Sequence, residues 1–294
     1  MTIDLSGRVA IVTGAGGGLG RSHALALARY GARVLVNDMA EAGARAVAEE
    51  IVAAGGQALP YACSVTDREA VAAMVDHAVA HWGSIDILVN NAGILRDRTF
   101  ANLELDDFAA VIDVHLMGSV ITTKAAWPHM RKQGYGRIVF TTSSSGLYGN
   151  FGQSNYSAAK MALVGLMQTL SLEGEKYGIH VNCLAPSAAT QMTENLYAPE
   201  DLRGLSTDLV SPGVVALVAE EAPTRVTLLA GAGAFEQAHI TMTQGIYVGD
   251  RPDAAERIQM QWRKIGDRAH EQVPGAGSAQ YNHEVAHPER ETAA

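Results

Sequence analysis

The segment that most restricts the fold is the first thirty residues. Arg8-Val9-Ala10-Ile11-Val12-Thr13 runs directly into Gly14-Ala15-Gly16-Gly17-Gly18-Leu19-Gly20, and an alanine-rich stretch, Ser22 to Tyr30, follows. The short apolar run is consistent with a strand buried in a parallel sheet, and the alanine-rich stretch reads as a helix. Strand, glycine turn and helix start, in that order, make an anion site. Free backbone N–H groups and the helix dipole there favour a pyrophosphate. The glycines permit a tight turn and close approach of the phosphates. A merely flexible glycine turn is the alternative, but it does not account for the order of the three elements.

A second strand, Ala32 to Asn37, ends at Asp38, eighteen residues after Gly20. A carboxylate there is placed to accept hydrogen bonds from an adenosine ribose and to repel the 2′-phosphate of NADP. Neither Gly17 nor Met39 offers an offsetting cation, so the expected cofactor is NAD. The plainer reading of Asp38, a cap for the next helix, does not explain its position at the strand's end. Further along, strands alternate with helices of 10 to 15 residues, which points to a parallel sheet wrapped on both faces. A chain of 294 residues, 48% hydrophobic and 18% charged, can bury a large core as one domain. The expected architecture is α/β: a single-domain Rossmann-type doubly wound parallel sheet over residues 1–250, with a C-terminal helical extension over 251–294. Pro252 to Asp267 reads as a helix, and the composition beyond about residue 268 reads as flexible. Val214 to Val218 reads as a helix, and Val226 to Ala230 as the last strand.

Tyr156 and Lys160 stand four apart in a run, Ser154 to Leu172, that reads as a helix, so they share one face. A free phenol titrates at about 10, too high for proton shuttling near neutrality. A fixed cation beside it favours the phenolate and brings it toward the range where general acid–base catalysis works. Ser143, thirteen residues earlier, could hold an alcohol or carbonyl oxygen within reach of the phenol. A tyrosine and lysine so spaced are common, and many such pairs are only exposed helix residues.

Taken together, these motifs resemble those of the short-chain dehydrogenase/reductase family. Thr13-Gly14-Ala15-Gly16-Gly17-Gly18-Leu19-Gly20 matches its TGxxxGxG. Asn90-Asn91-Ala92-Gly93, after the strand Ile85 to Val89, matches its NNAG. Ser143, Tyr156 and Lys160 match its catalytic serine and YxxxK, and Asn182 to Pro186 its NxxxP. The likeness covers about residues 5 to 245. It implies that Thr13, Gly14, Gly18, Leu19, Gly20, Asn91, Ala92 and Gly93 line the cofactor site, with Asn91 on the adenosine side. It also implies that Lys160 holds the nicotinamide ribose and that Pro186 and Thr190 flank the nicotinamide. Ser64, beside Val65, stands where an aspartate often sits next to adenine. His115, in Asp113-Val114-His115-Leu116-Met117-Gly118, stands where the family usually has asparagine. It is either part of a proton relay behind Lys160 or a packed imidazole.

Asn91 to Arg98, Val114 to Leu116 and Ser145 to Gln153 further resemble the (3R)-hydroxyacyl-CoA dehydrogenase part of type 2 peroxisomal multifunctional enzymes, which carry the same histidine. That likeness implies a 3-hydroxyacyl-CoA, or a steroid alcohol as in hydroxysteroid dehydrogenases, and a homodimer or homotetramer. The segment from about 190 to 207 is expected to close over the substrate, with Met192, Leu196, Tyr197 and Leu202 as its apolar wall. A non-catalytic NAD(H) sensor would have no need of Ser143, Tyr156 and Lys160 together.

The formal charge of −9 argues against nucleic-acid binding and gives no general attraction for a polyanionic CoA. Arg96 and Arg98 could supply a local one, or could be solvated loop residues. Cys63 and Cys183 read as buried thiols. His77 and His81 share a helix face but have no third ligand, so no metal is expected. No signal segment is evident and the apolar runs look too short or interrupted for a membrane span. A cytoplasmic location is the expectation.

Overall fold

The computed structural model describes residues 2–189 and 204–287. Seven parallel strands carry the fold: β1 Val9–Val12, β2 Arg33–Asp38, β3 Gln57–Ala62, β4 Ile87–Asn90, β5 Gly136–Thr141, β6 Ile179–Ser187 and β7 Thr227–Gly231. An eighth, β8 Ala234–Ala238, completes one sheet in the order β3-β2-β1-β4-β5-β6-β7-β8. Val226 to Ala230 was expected to be the last strand, and here the structure corrects the sequence. Ala232 and Gly233 have φ of 50° and 79°, so this two-residue turn folds the chain back as a hairpin and adds the edge strand β8. At the opposite edge β3 contains Pro60, which cannot donate to a second neighbour.

Alternation along each strand feeds two cores. Ala10, Val12, Val34, Val36, Ile87 and Val89 pack on one face with α1 (Gly18–Arg29), α2 (Glu41–Ala53) and α8 (Ser211–Val218). Val9, Ile11, Leu35, Leu88, Ile138 and Phe140 pack on the other with α3 (Arg68–Trp82), α5 (Gly118–Gln133) and α7 (Ser154–Gly174). With both faces covered, the strands read as continuous apolar runs. This is the doubly wound architecture the sequence implies, and the chain reverses its direction of travel across the sheet between β1 and β4. The crevice at the carboxyl ends of these two strands is where such sheets bind ligands.

Helix α1 is docked on α8 by a buried polar network. Ser22 Oγ donates to Asp208 Oδ1 (2.8 Å) and lies 2.7 Å from Ser211 Oγ, which is 2.8 Å from His23 Nδ1. Burial pushes His23 down to about 3, so the ring is neutral near pH 7. Ahead of α5, α4 (Leu105–Ile112) continues through a π-type bulge, Asp113–Met117. Together they make a helix of 29 residues, long and apolar enough to cross a bilayer, which the interrupted apolar runs did not suggest. Its Ser119, Thr122, Thr123, Ala126 and Met130 are nevertheless buried within the protein.

One compact unit ends at Gln237 and a second begins at Ala238. In the second, the single helix expected over Pro252–Asp267 is instead two short helices, α9 (Ala254–Met260) and α10 (Trp262–Ile265). Within the stretch whose composition suggests flexibility, Met242 pairs with Gln272 and Ser278–Val285 forms helix α11.

Candidate active site

The loop after β1 is closed by contacts that leave no room for a side chain at Gly14 or Gly20. Thr13 Oγ1 accepts the Asn91 and Ala92 N–H groups (3.0 and 3.1 Å), and Asn91 Nδ2 donates to the carbonyls of Thr13 and Gly14 (3.0 and 3.1 Å). A Cβ on Gly14, whose φ is +60°, would fall 2.8 Å from Ala92 Cα, and one on Gly20 would fall 2.2 Å from the Gly14 carbonyl oxygen. Gly17 precedes the first turn of α1 with no side-chain cap, and a Cβ there would meet nothing within 4 Å. Gly17, Gly18 and Leu19 line a cavity, so the start of α1 borders open space, as an anion site requires. At the end of β2, Asp38 accepts the Gly16 N–H on Oδ2 and the Ala40 N–H on Oδ1, both at 2.9 Å. This cradle fits a dinucleotide.

The reacting groups gather at the ends of β5 and β6. Ser143 caps α6 (Ser144–Tyr148), its Oγ accepting the Ser145 N–H at 3.1 Å. Tyr156 and Lys160 share one face of α7, with Lys160 Nζ 5.4 Å from the tyrosine ring centroid. Lys160 is 3% exposed and donates to the Thr141 carbonyl. Gly146 permits this packing, since a Cβ there would lie 2.7 Å from Lys160 Cβ. Burial pushes the Lys160 ammonium down to about 7.

His115 sits in the π-type bulge with its ring edge-on to Tyr156, centroids 5.2 Å apart at 88°. Its Nε2 meets the Ile94 carbonyl (2.7 Å) and N–H (3.0 Å), while Nδ1 is buried with no hydrogen-bond partner. Burial and then the Lys160 charge push it down to about 3, so it is neutral near pH 7 and able to donate from one nitrogen and accept at the other. It also explains Gly93, where a Cβ would lie 2.2 Å from His115 Cε1.

One cavity of about 1100 Å³ joins the two regions. Of the residues expected at the site, its wall holds Gly14, Gly18, Leu19, Gly20, Asp38, Asn91, Ala92, Gly93, His115, Ser143, Tyr156, Lys160 and Pro186. Three expected cofactor residues are not on the wall. The Thr13 hydroxyl is consumed in bracing the Asn91 loop, Ser64 Oγ is 2.8 Å from Thr66 Oγ1, and Val65 is buried against Gly118. Thr190 and the apolar wall of Met192, Leu196, Tyr197 and Leu202 lie outside the described residues. Arg96 and Arg98 are also off the wall. Arg96 lies 3.5 Å from Asp107, and each guanidinium donates to the carbonyl of the residue before it. Both cysteines are free thiols.

Beyond the glycine turn, the sequence assigns no site role to several other wall residues, including Leu95, Ser145, Tyr148, Phe151 and Gln153. Tyr148 and Phe151 are 69% and 88% exposed, forming an apolar lip. The glycines at 146, 149 and 152 were the available signal, since such punctuation before a helix marks a loop.

A family profile described as short chain dehydrogenase matches residues 8–201. A short-chain type dehydrogenase/reductase of Mycobacterium tuberculosis is 43% identical over 278 residues, covering 91% of this chain and 97% of its own. Mouse peroxisomal multifunctional enzyme type 2 is 44% identical over 285 residues, 92% of this chain but 38% of its own length. The 3-oxoacyl-[acyl-carrier-protein] reductase of Thermotoga maritima is 39% identical over 200 residues, 68% of this chain and 80% of its own. Full-length peroxisomal multifunctional enzyme type 2 of Drosophila melanogaster superposes with a TM-score of 0.83 at 36% identity, over 98% of this chain and 50% of that one. A 7α-hydroxysteroid dehydrogenase in complex with NADH and 7-oxo glycochenodeoxycholic acid superposes at 0.74 with 28% identity, over 79% and 96%. The chain thus spans 38% and 50% of these two multifunctional enzymes.

Proposed function

This chain belongs to the short-chain dehydrogenase/reductase family, oxidoreductases acting on CH–OH groups, and from that premise we propose that it interconverts a 3-hydroxyacyl thioester of CoA and its 3-oxo form with NAD. The observation that carries the reading is the single cavity in which the uncapped start of α1 opens toward Ser143, Tyr156 and Lys160.

A bound nicotinamide supplies the hydride acceptor in oxidation and the donor in reduction. The chain's own residues manage the proton and the oxygen. In oxidation Tyr156, as phenolate, takes the hydroxyl proton, and in reduction it returns one. Lys160 beside the ring favours the charged phenol. The Ser143 Oγ is occupied as an acceptor by the Ser145 N–H, which leaves its own proton to donate to the reacting oxygen in either direction. His115, neutral and edge-on to Tyr156, is suited to pass a proton onward from Lys160. The dinucleotide's phosphates would rest on the first-turn N–H groups of α1, and an adenosine ribose on Asp38.

NAD is preferred on charge. Among the described wall residues the one cationic side chain, Lys160, lies at the catalytic end, far along the chain from Asp38. Arg21 on α1 and Arg45 on α2 are engaged, Arg21 with Glu50 (2.5 Å) and Arg45 with Glu41. Nothing described therefore offsets the repulsion between Asp38 and a 2′-phosphate.

The thioester assignment draws on the resemblance carried by residues 90–160 and on the reductase relative that acts on 3-oxoacyl groups. A steroid alcohol is the second reading, favoured by the likeness to a hydroxysteroid dehydrogenase and by the exposed Tyr148 and Phe151. Parallel assays of NADH formation with 3-hydroxybutyryl-CoA, longer 3-hydroxyacyl-CoAs and hydroxysteroids separate the two. Tyr156→Phe is expected to abolish turnover while leaving NADH binding within about twofold, and normal turnover in that variant removes Tyr156 from its role. A homodimer or homotetramer is proposed for the assembly, with light scattering as its test.

A further inference from the structure

In the unit that begins at Ala238, two imidazoles converge on one oxygen. The chain reads His283-Glu284-Val285-Ala286-His287 across the last turn of α11 and the residues just past it. Histidines four apart lie on one helical face. Here His283 Nε2 lies 2.9 Å, and His287 Nε2 3.2 Å, from the main-chain carbonyl oxygen of Gln244. The two rings meet edge to face with centroids 5.6 Å apart, and Tyr247 stacks on His287 at 6.1 Å. On its other side His283 Nδ1 is 3.5 Å from Gln272 Nε2, and the Gln272 backbone pairs with Met242.

Hydrogen bonding alone accounts for this cluster only if both rings carry their proton on Nε2 and the oxygen accepts twice. The same spacing is that of a ligand shell. Zinc bonds of about 2.0–2.2 Å to nitrogen and oxygen, at tetrahedral angles, set neighbouring ligand atoms about 3.3–3.5 Å apart. The two distances to the Gln244 oxygen need to lengthen only slightly to admit an ion. A metal-bound imidazole holds its proton on the other nitrogen and donates it to an oxygen nearby. The Gln272 amide supplies that oxygen to His283 once its carbonyl end is turned toward Nδ1. Among the described residues no third histidine, cysteine or carboxylate completes the shell, so water takes the remaining position. Glu284 is exposed, and its Oε1 accepts from Gln280 Nε2 (2.8 Å) on the same helix. The His-Glu-x-x-His spacing therefore brings metal ligands here but no base aimed at them.

Helix α11 has eight residues, none of them buried. So short a helix is marginal in water without tertiary support, and its attachment falls to these polar contacts. We infer that His283, His287 and the Gln244 carbonyl form a site for a divalent transition-metal ion of the kind imidazole favours, such as zinc, and that the ion staples α11 to the segment at Gln244. The inference does not depend on the reaction proposed above.

Calorimetric titration of zinc chloride into the chelator-treated full chain tests it. About one equivalent should bind, and His283→Gln or His287→Gln should each weaken that binding by about tenfold or more. His77 and His81 are also four apart, but their rings stack side by side at 6.3 Å, so His77→Gln should leave the titration unchanged. No zinc uptake, uptake that both α11 variants retain, or uptake lost in His77→Gln instead would each overturn the site.

The parent protein gives a second reading that no folding defect in a variant can imitate. Amide hydrogen exchange over residues 278–287 should slow about tenfold or more when zinc is added, because an ion bound only to the docked helix shifts the local opening equilibrium. Zinc uptake with unchanged exchange there would sink the staple. Both measurements are made without substrate, so a parent enzyme that oxidises none of the tested alcohols counts against the proposed function alone.

Discussion

Lys160 makes catalysis and stability pull in opposite directions, and the size of the conflict follows from its position. The side chain is 3% exposed, and burial lowers it from 10.5 to about 7. That difference of about 3.5 units corresponds to roughly 5 kcal/mol of preference for the neutral form in the folded state, at 1.36 kcal/mol per unit. The folded state binds its proton less tightly than the unfolded state does. Between pH 7 and 10.5 the unfolded chain therefore carries the extra proton, and stability rises with pH across that window. Below pH 7 both states are charged and the full penalty stands. Lys160→Met keeps the length of the side chain and removes the charge. It also loses the hydrogen bond to the Thr141 carbonyl, but that loss is the same at every pH. The difference in unfolding free energy between parent and Lys160→Met, from urea titrations at steps from pH 6 to 10.5, should therefore swing in the parent's favour by up to about 5 kcal/mol across the window. At pH 6, Lys160→Met should be the more stable protein and catalytically dead. A difference that stays flat with pH would refute the claim that the folded protein holds this ammonium at a cost, and with it the reason for placing it beside Tyr156.

The cofactor preference predicts that Asp38→Ala raises the NADP/NAD ratio of kcat/KM by about tenfold or more, since an unpaired carboxylate facing a phosphate costs at least one factor of ten; unchanged discrimination would contradict the charge argument. His23 is held neutral by burial, so its folded value lies below its unfolded one and its contribution is lost on acidification. Between pH 6.5 and about 3 it should cost about 1.4 kcal/mol per unit, and His23→Asn should flatten the difference in stability between pH 7 and 5 by about 2 kcal/mol; equal slopes in urea titrations would argue against it. Gly20→Ala drives a methyl to 2.2 Å from the Gly14 carbonyl oxygen and should cost about 3 kcal/mol or more. Gly17→Ala meets nothing and has an extended φ of −172°, so its melting temperature should barely move while NADH affinity falls.

Much of the site was legible because its signals are local. A Cβ-free turn between an apolar run and a helix constrains the backbone within a dozen residues, and a four-residue spacing on a helix puts Tyr156 and Lys160 on one face whatever surrounds them. Asp38 was legible for a similar reason, as an acid at the end of a strand. Other features were hidden because their causes are distant in sequence. Thr13 looks like a cofactor residue, but its hydroxyl is spent on Asn91 and Ala92, almost eighty positions away. Pro60 masks β3, since a proline in a strand argues against one until the strand is known to lie at an edge. The hairpin that adds β8 hinged on the positive φ of Ala232, which alanine does not announce.

The chemistry to be performed was thus set by the order of residues along the chain: which groups can bind a pyrophosphate, which can carry a proton, and which sign of charge meets the ribose. Tertiary structure alone decided how those groups are poised. Only packing could strip water from Lys160 and His115 and seat His115 where Gly93 must lack a side chain. Proton affinity and donor direction depend on what surrounds a group in space, and no spacing along the chain encodes that.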